Sequence, residues 1–221
     1  MNNSKININD SIGSLKRMIP EDWGDISSFL KNIQLNIFGT KSLVSKSKVN
    51  IAYLTFEFGV DGVTREIMKY ARRMELLLKN SNRKVSTILV GERFYGQIDK
   101  IMPVYWKKKT IKDINGWDKW QYGRLFSRMF HQKMPKNSAI SQSTTLEVWN
   151  QSIEIAFELF KVVETYNINL FFLANVSSNP GNVSLNIALI IISKLYGLYV
   201  INSNHDFFWN TDQSGYSIVK Q

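Results

Sequence analysis

The chain has no cysteine among its 221 residues, which excludes disulfides and thiolate metal sites and fits a reducing compartment. The first residues, MNNSKININDSIGSLKR, contain no apolar core of signal-peptide length. No stretch reaches the roughly 20 apolar residues of a membrane span; the longest near-apolar run is residues 185–195. Neither the G-x-G-x-x-G dinucleotide fingerprint nor the P-loop lysine pattern occurs. There is no internal repeat and no low-complexity array. These absences point to a cytoplasmic protein, with a peripheral place at the membrane as the variant of that reading.

What is present is an ordinary globular composition, 44% hydrophobic and 21% charged, on a chain long enough for one full core. The formal charge is +10. It is spread along the sequence, and the one dense cluster is Lys107, Lys108 and Lys109 with Lys112 nearby. A solvated basic surface accounts for this. A face for anionic lipid or a phosphorylated ligand is the alternative. Aromatics interleave with Lys and Arg between residues 106 and 138, including Trp117, Trp120, Tyr122, Phe126 and Phe130. Such interleaving can bind nucleic-acid strands, but no nucleic-acid motif accompanies it. The spacing equally fits an amphipathic helix with its aromatics inward. His131, without a carboxylate at metal-site spacing, reads as structural or exposed.

Residues 1–19 read as a mobile polar leader. A helix is expected over residues 20–39, with Ile26, Phe29, Leu30, Ile33 and Ile37 on one face. The first core strand is expected at residues 49–58. It ends in Gly59-Val60-Asp61-Gly62, and a helix follows over residues 63–79 with a stripe of Val63, Ile67, Tyr70, Ala71, Met74, Leu77 and Leu78. Residues 85–90 form a second strand closed by Gly91, and residues 98–105 a third, marked as an edge by Pro103. A capping box at Thr144 and Glu147 is expected to open a long helix that ends near Tyr166.

Residues 167–209 organise the rest: NINLFFLANVSSNPGNVSLNIALIIISKLYGLYVINSNHDFFW. Continuous apolar runs at residues 168–174 and 198–201 suit parallel strands buried on both faces, and residues 183–196 suit a crossover helix. Strands alternating with helices predict an α/β, Rossmann-like, mainly parallel sheet flanked by helices. Ligands of such sheets bind outside the carboxyl ends of the strands. His205 and Asp206 would stand at one such end, and the loop from Asn175 to Asn182 at its neighbour. The turn at Asp61 and Gly62 is the second candidate lip, because a glycine turn entering a helix presents backbone N–H groups and a positive dipole end.

Two stretches carry a resemblance. IAYLTFEFGVDGVTREIMKYARRMELLLKN is similar to the first strand, glycine loop and first helix of the N-terminal domain of GT-B glycosyltransferases of the family 4 type. The segment over residues 167–209 is similar to that family's later strand–helix–strand unit, which closes on His-Asp. With the strand at residues 85–91 and the helix from Thr144 in order, the resemblance extends over most of residues 48–210. It implies half of a GT-B fold. Residues 1–47 would be a leader plus helix, residues 48–210 the acceptor-side domain, and residues 211–221 a tail. The donor-binding C-terminal domain would have to be supplied in cis or in trans, and little turnover is expected from this chain alone.

The resemblance further implies a nucleotide-sugar donor as substrate, a sugar or other hydroxyl acceptor, and no cofactor or metal. Asp61, Gly62, Val63 and Thr64 would lie near the donor diphosphate. His205 would face the reacting sugar as the catalytic residue, and Asp206 would orient it. Asn175, Asn182, Asn204 and Trp209 are acceptor-pocket candidates. Family members often carry Gly-Gly where this chain has Asp61-Gly62. A carboxylate there must point away from the phosphates, cap the helix or contact a sugar hydroxyl. A stand-alone α/β binding module for a nucleotide or phosphorylated small molecule, or a regulatory partner, is the alternative. An anionic membrane surface is a further partner to consider, and nucleic acid is not expected.

Overall fold

A computed structural model of the chain describes residues 8–33, 47–115, 124–177 and 182–204. Two helices, α1 (Ile8–Arg17) and α2 (Trp23–Asn32), precede the first core strand, β1 (Lys48–Leu54). After β1 come a two-residue strand β2 (Glu57–Phe58), helix α3 (Gly62–Asn80), strand β3 (Lys84–Gly91) and a second short strand β4 (Arg93–Phe94). A single helical turn α4 (Ile98–Ile101) leads to β5 (Lys107–Thr110), and α5 (Arg124–Phe130) precedes the 28-residue α6 (Ala139–Tyr166). The chain then runs through β6 (Leu170–Ala174), α7 (Val183–Tyr196) and β7 (Tyr199–Ser203).

The five main strands are all parallel, in the order β5-β3-β1-β6-β7. This is a doubly wound, Rossmann-like α/β sheet. The apolar runs of β1, β3 and β6 are buried on both sides, as parallel strands require when helices cover both faces. On one face Ala52, Leu54, Ile88, Phe171 and Leu173 pack with α6 and α7, joined by Leu15 of α1 and Ile26 of α2. On the other, Ile51, Tyr53, Leu89 and Phe172 pack with Ile67 and Ala71 of α3 and with Ile98 and Trp106. No helix among the described residues is long and apolar enough to cross a membrane.

Several expectations need correcting. Residues 8–17 are a helix rather than part of a mobile leader, and Leu15 anchors it in the core. The helix expected over residues 20–39 is described only as far as Ile33, and the remainder lies outside the described residues. Over residues 98–105 there is no strand. Ile98 is buried from the short helix α4 instead, and the edge strand is the lysine-rich β5. The long helix starts before Thr144. Ser138 caps it by accepting from the Ser141 N–H at 3.3 Å, while the Thr144 hydroxyl donates to the Ile140 carbonyl. The expected α3 stripe is only partly buried, because Tyr70 and Leu77 are about half exposed.

Beneath α3 lies a buried carboxylate. Glu75, 5% exposed, accepts from the Thr87 hydroxyl at 2.7 Å, the Trp106 indole N–H at 2.7 Å and the Tyr105 hydroxyl at 2.9 Å. Three donors compensate a charge that burial alone would disfavour. Burial, with the nearby Glu75 charge second, pushes the Tyr53 phenol well above its usual 10.0. A tyrosine that binds its proton more tightly when folded contributes stability that is complete below the unfolded value and fades as pH climbs past it. The unfolding free energy is therefore expected to fall above about pH 10. The fall should be shallower in Tyr53→Phe, as followed by urea unfolding across that range.

Candidate functional site

The chain winds outward from β1 through β3 to β5, then crosses to β6 on the opposite side of β1. The carboxyl ends of β1 and β6 therefore border the topological switch point, where open α/β sheets form a ligand crevice. The loop after β1 reaches Asp61 and Gly62; the loop after β6 starts at Asn175. These two sequence-predicted lips therefore follow the carboxyl ends of neighbouring strands. His205, Asp206 and Trp209 lie outside the described residues, as do residues 178–181 of the second lip.

On the first lip, the Asp61 carboxylate closes on its own helix. One oxygen accepts from the Thr64 N–H at 2.8 Å and the other from the Thr64 hydroxyl at 3.0 Å, while that hydroxyl accepts from the Gly59 N–H at 3.1 Å. The helix start already holds a negative charge that caps it. The Thr64 amide, one of those expected near a diphosphate, is thus occupied by Asp61. The Gly62 and Val63 amides belong to the first turn, outside the helix ladder. A Cβ on Gly62 would meet nothing within 4 Å, so the space beside this turn is open. At Gly91, by contrast, a Cβ would come within 2.9 Å of the Phe58 ring, which stacks on Phe94 with centroids 5.0 Å apart. That glycine leaves room for the Phe58 ring of β2 against the end of β3.

The second lip is built from asparagines. Asn175 is buried in a left-handed conformation (φ +56°), and its N–H donates to the Ser203 carbonyl at 2.8 Å. Asparagine tolerates that region better than most side chains, and here it turns the chain off the end of β6. Asn182 is fully buried and caps α7, its side-chain oxygen accepting from the Leu185 N–H at 2.9 Å. Its side-chain NH2 donates to the carbonyls of Asp113 at 3.0 Å and Asn115 at 3.4 Å. Asn182 therefore fastens the second lip to the segment following β5 and does not point an unused amide at a ligand. Asn204, just past β7, buries a side-chain oxygen that has no partner among the described residues.

Sequence reasoning missed the carboxylates of this edge. Glu57 accepts from the Tyr95 hydroxyl at 3.1 Å and from the Asn115 amide, with Arg93 3.6 Å away. Arg93 in turn donates to the Tyr95 hydroxyl at 2.6 Å. Glu92, buried directly after β3, accepts from the Asn115 N–H at 2.7 Å. Glu66, on α3, accepts from the Ser203 hydroxyl at 3.2 Å. One signal for Glu92 was legible: an acidic residue immediately after a buried strand and its glycine. The pairing of Glu57 with Asn115 spans 58 residues of sequence and left no local trace.

The edge thus gathers amides, hydroxyls and carboxylates, with Arg93 as a cation tied to Glu57 and Tyr95. This mixture of donors and acceptors suits a ligand rich in hydroxyl groups better than it suits a phosphate. Among the described residues no group of three or more His, Asp or Glu side chains is placed to hold a metal ion. A separate apolar cavity of about 150 Å³ lies between α2, α5 and α6, lined by Trp23, Met129, Met134, Thr144, Thr145 and Val148 among others. His131 is exposed beside the Phe126 ring. In comparisons with family models, with curated proteins and with solved structures, the chain matches none.

Proposed function

We propose that the chain is the acceptor-side domain of a sugar-nucleotide-dependent glycosyltransferase and works with a donor-binding domain supplied in cis or in trans. One observation carries this reading. Among the described residues, the switch-point end of the sheet is bordered by asparagines, hydroxyls and carboxylates, and the start of α3 there is already capped by the Asp61 carboxylate. Such a surface favours sugar hydroxyls over a free phosphate. In the transfer, the anomeric C–O bond of the donor breaks and a nucleoside diphosphate leaves. The acceptor oxygen forms the new bond and loses its proton. His205 is the residue we assign to face the reacting sugar, with Asp206 orienting it and Trp209 beside the acceptor. Asn175 and Asn204 would line the acceptor side. The Gly62 and Val63 amides are what remains of the helix start for the donor diphosphate once Asp61 has taken Thr64.

The same feature disfavours the stand-alone nucleotide-binding module, which needs the α3 start open to phosphate. NMR titration of the isotope-labelled chain separates the two. Neutral mono- and oligosaccharides are expected to shift the Asn175 and Asn204 amides with weak dissociation constants, about 0.1–10 mM. Nucleoside diphosphates alone should shift the Gly62 and Val63 amides only weakly, because Asp61 already occupies the Thr64 amide and the main donor site belongs to the other domain. Tight nucleotide binding at the first turn of α3 without any response to sugars would overturn the proposal. So would robust sugar transfer by the 221-residue chain on its own.

A further inference from the structure

We propose that the segment between α4 and β5, together with the adjoining outer side of α3, docks on an anionic phospholipid surface, with Val104 entering the headgroup layer. Exposed apolar side chains scattered singly are ordinary, but here four stand together. Val104 is 97% exposed, Tyr105 63% and Ile101 37%, and Leu76 of α3 is 54% exposed. Contacts from α3 bring Leu76 beside the other three. Arg72 donates to the Ile101 carbonyl at 3.0 Å, Glu75 accepts from the Tyr105 hydroxyl at 2.9 Å, and the Lys79 ammonium lies 5.9 Å from the Tyr105 ring centroid. Arg72, Leu76 and Lys79 share one face of the helix, so Leu76 stands in the row that reaches this segment.

The backbone holds this tip outward. Ile98 and Trp106, 1% and 4% exposed, anchor its two ends in the core. Between them the Met102 N–H donates to the Ile98 carbonyl at 2.9 Å, and the Trp106 N–H to the Pro103 carbonyl at 3.0 Å. Val104 therefore sits at the crest of a turn closed on both sides, and its side chain packs on little of the chain's own surface. A fixed aliphatic crest of this kind is the sort of patch that marks an interaction surface.

The charges around the tip select its partner. Arg72, Arg73, Lys79 and Lys100 are exposed beside it, and among the described residues none of the four forms an ion pair. The nearby acids are already bound: Glu75 is buried under its three donors, and Asp99 pairs with Lys108. An apolar crest among cations that lack acidic partners matches a bilayer with anionic headgroups. The negative surface potential attracts each cation, and the acyl boundary takes up an aliphatic side chain without a shaped pocket. Tyr105, its hydroxyl held by Glu75 and its ring largely exposed, suits the headgroup level where tyrosine collects. A nucleic acid would use the cations but offers Val104 nothing, since strand binding relies on stacking and phosphate contact. None of these residues belongs to the crevice, so lipid docking does not depend on the glycosyltransferase reading.

Vesicle co-sedimentation of the full chain tests this, comparing phosphatidylcholine that holds about one-third phosphatidylglycerol with pure phosphatidylcholine. Partitioning is expected to be at least about tenfold stronger on the anionic vesicles and to weaken at high salt. Val104→Asp should lower it at least about tenfold, and so should Arg73→Glu combined with Lys100→Glu. All three positions are exposed, so the circular dichroism spectrum should not change. Lys136→Glu, on the connection between α5 and α6 across the sheet, should cost less than about threefold. Because the chain has no cysteine, Val104→Cys accepts a single polarity-sensitive fluorophore. Its emission should shift to the blue on anionic vesicles, and the same label on Lys136→Cys should not shift. No binding to anionic vesicles, equal binding to both compositions, binding that Val104→Asp leaves unchanged, or a Val104→Cys label that stays in water overturns the proposal. So does binding to an oligonucleotide in place of vesicles, kept in Val104→Asp and lost in the glutamate pair, which would make this a nucleic-acid face.

Discussion

Glu75→Leu is expected to lower the unfolding free energy by about 3–5 kcal/mol, although leucine adds apolar surface at a buried position. The reason is what the substitution leaves behind. Thr87 and Trp106 are 2% and 4% exposed, and both donate to one Glu75 oxygen at 2.7 Å. Without it, two donors stay buried and unpaired, each at about 1–3 kcal/mol. The Tyr105 hydroxyl, on a residue 63% exposed, can turn to water and contributes little. For a domain of this size the loss corresponds to a fall in midpoint temperature of roughly 6–20 °C. Glu75→Gln should lie between, because one amide oxygen remains to accept while the new NH2 faces donors. Adding Thr87→Val to Glu75→Leu should restore about 1–2 kcal/mol by removing one orphaned hydroxyl. Urea unfolding of the four proteins, with slopes unchanged, measures this. A loss below about 1 kcal/mol for the leucine variant would mean that Glu75 is not the anchor of α3.

The parallel sheet was legible because its strands are unbroken apolar runs with helices of the right length between them. Residues 183–196 form the helix their pattern predicts, and residues 168–174 hold a buried strand, but the strand at residues 199–203 is not buried on both faces as expected: it is the edge of the sheet, and Tyr199, Val200 and Ile201 are exposed. β5 was not legible. A strand reading Lys-Lys-Lys-Thr has no hydrophobic signal, since it is fixed by its ladder with β3 and by the Lys107 and Lys108 ammonium groups over the Tyr166 and Phe94 rings. Ile98 and Met102 gave a strand-like signal that packing resolves as a helical turn. The start of α6 was misplaced at Thr144. Ser138 and Thr144 both offer a hydroxyl; Ser138 caps the helix, and the Thr144 hydroxyl bonds back to the Ile140 carbonyl inside it.

The site divides along the same line. Capping at Asp61 was legible because it is local, three residues from donor to acceptor, whereas Asn182, expected in the acceptor pocket, is the buried cap of α7. The network that joins Glu57, Glu92 and Asn115 is assembled by sheet order, and nothing in neighbouring residues announces it. The doubt attached to the carboxylate at Asp61 now has a physical answer: the helix itself is the partner, which is one of the three arrangements that make an acid tolerable there.

Asn182→Asp is the second large effect expected, and its sign runs against the usual rule. Aspartate and asparagine cap exposed helices about equally well, and the negative charge is favoured at the helix start. At this position the side chain is fully buried and does two jobs. Its oxygen caps α7, and its NH2 donates to the carbonyls of Asp113 and Asn115. An aspartate keeps the first and turns the second into a carboxylate oxygen facing two carbonyl oxygens without water between them. We expect a loss of about 3–5 kcal/mol near pH 7, larger than the about 2–3 kcal/mol for Asn182→Ala, which loses the cap and orphans the carbonyls but introduces no repulsion. The sign with pH follows. A carboxyl in that setting holds its proton more tightly in the folded than in the unfolded chain. The penalty of the aspartate is therefore complete above its folded value and shrinks as pH falls toward about 4, where the protonated acid can donate to one carbonyl. Denaturant unfolding of wild type, Asn182→Ala and Asn182→Asp between about pH 4 and 7 measures it. If the aspartate variant is as stable as wild type at neutral pH, or its deficit does not change with pH, the bonds to Asp113 and Asn115 are not what holds the second lip. If the deficit behaves as expected, Asn182 is the pin between the loops after β5 and β6. The alanine variant, which stays folded at a lower stability, should then also bind sugars more weakly, because Asn115 leaves the position that ties Glu57 and Glu92 to the crevice.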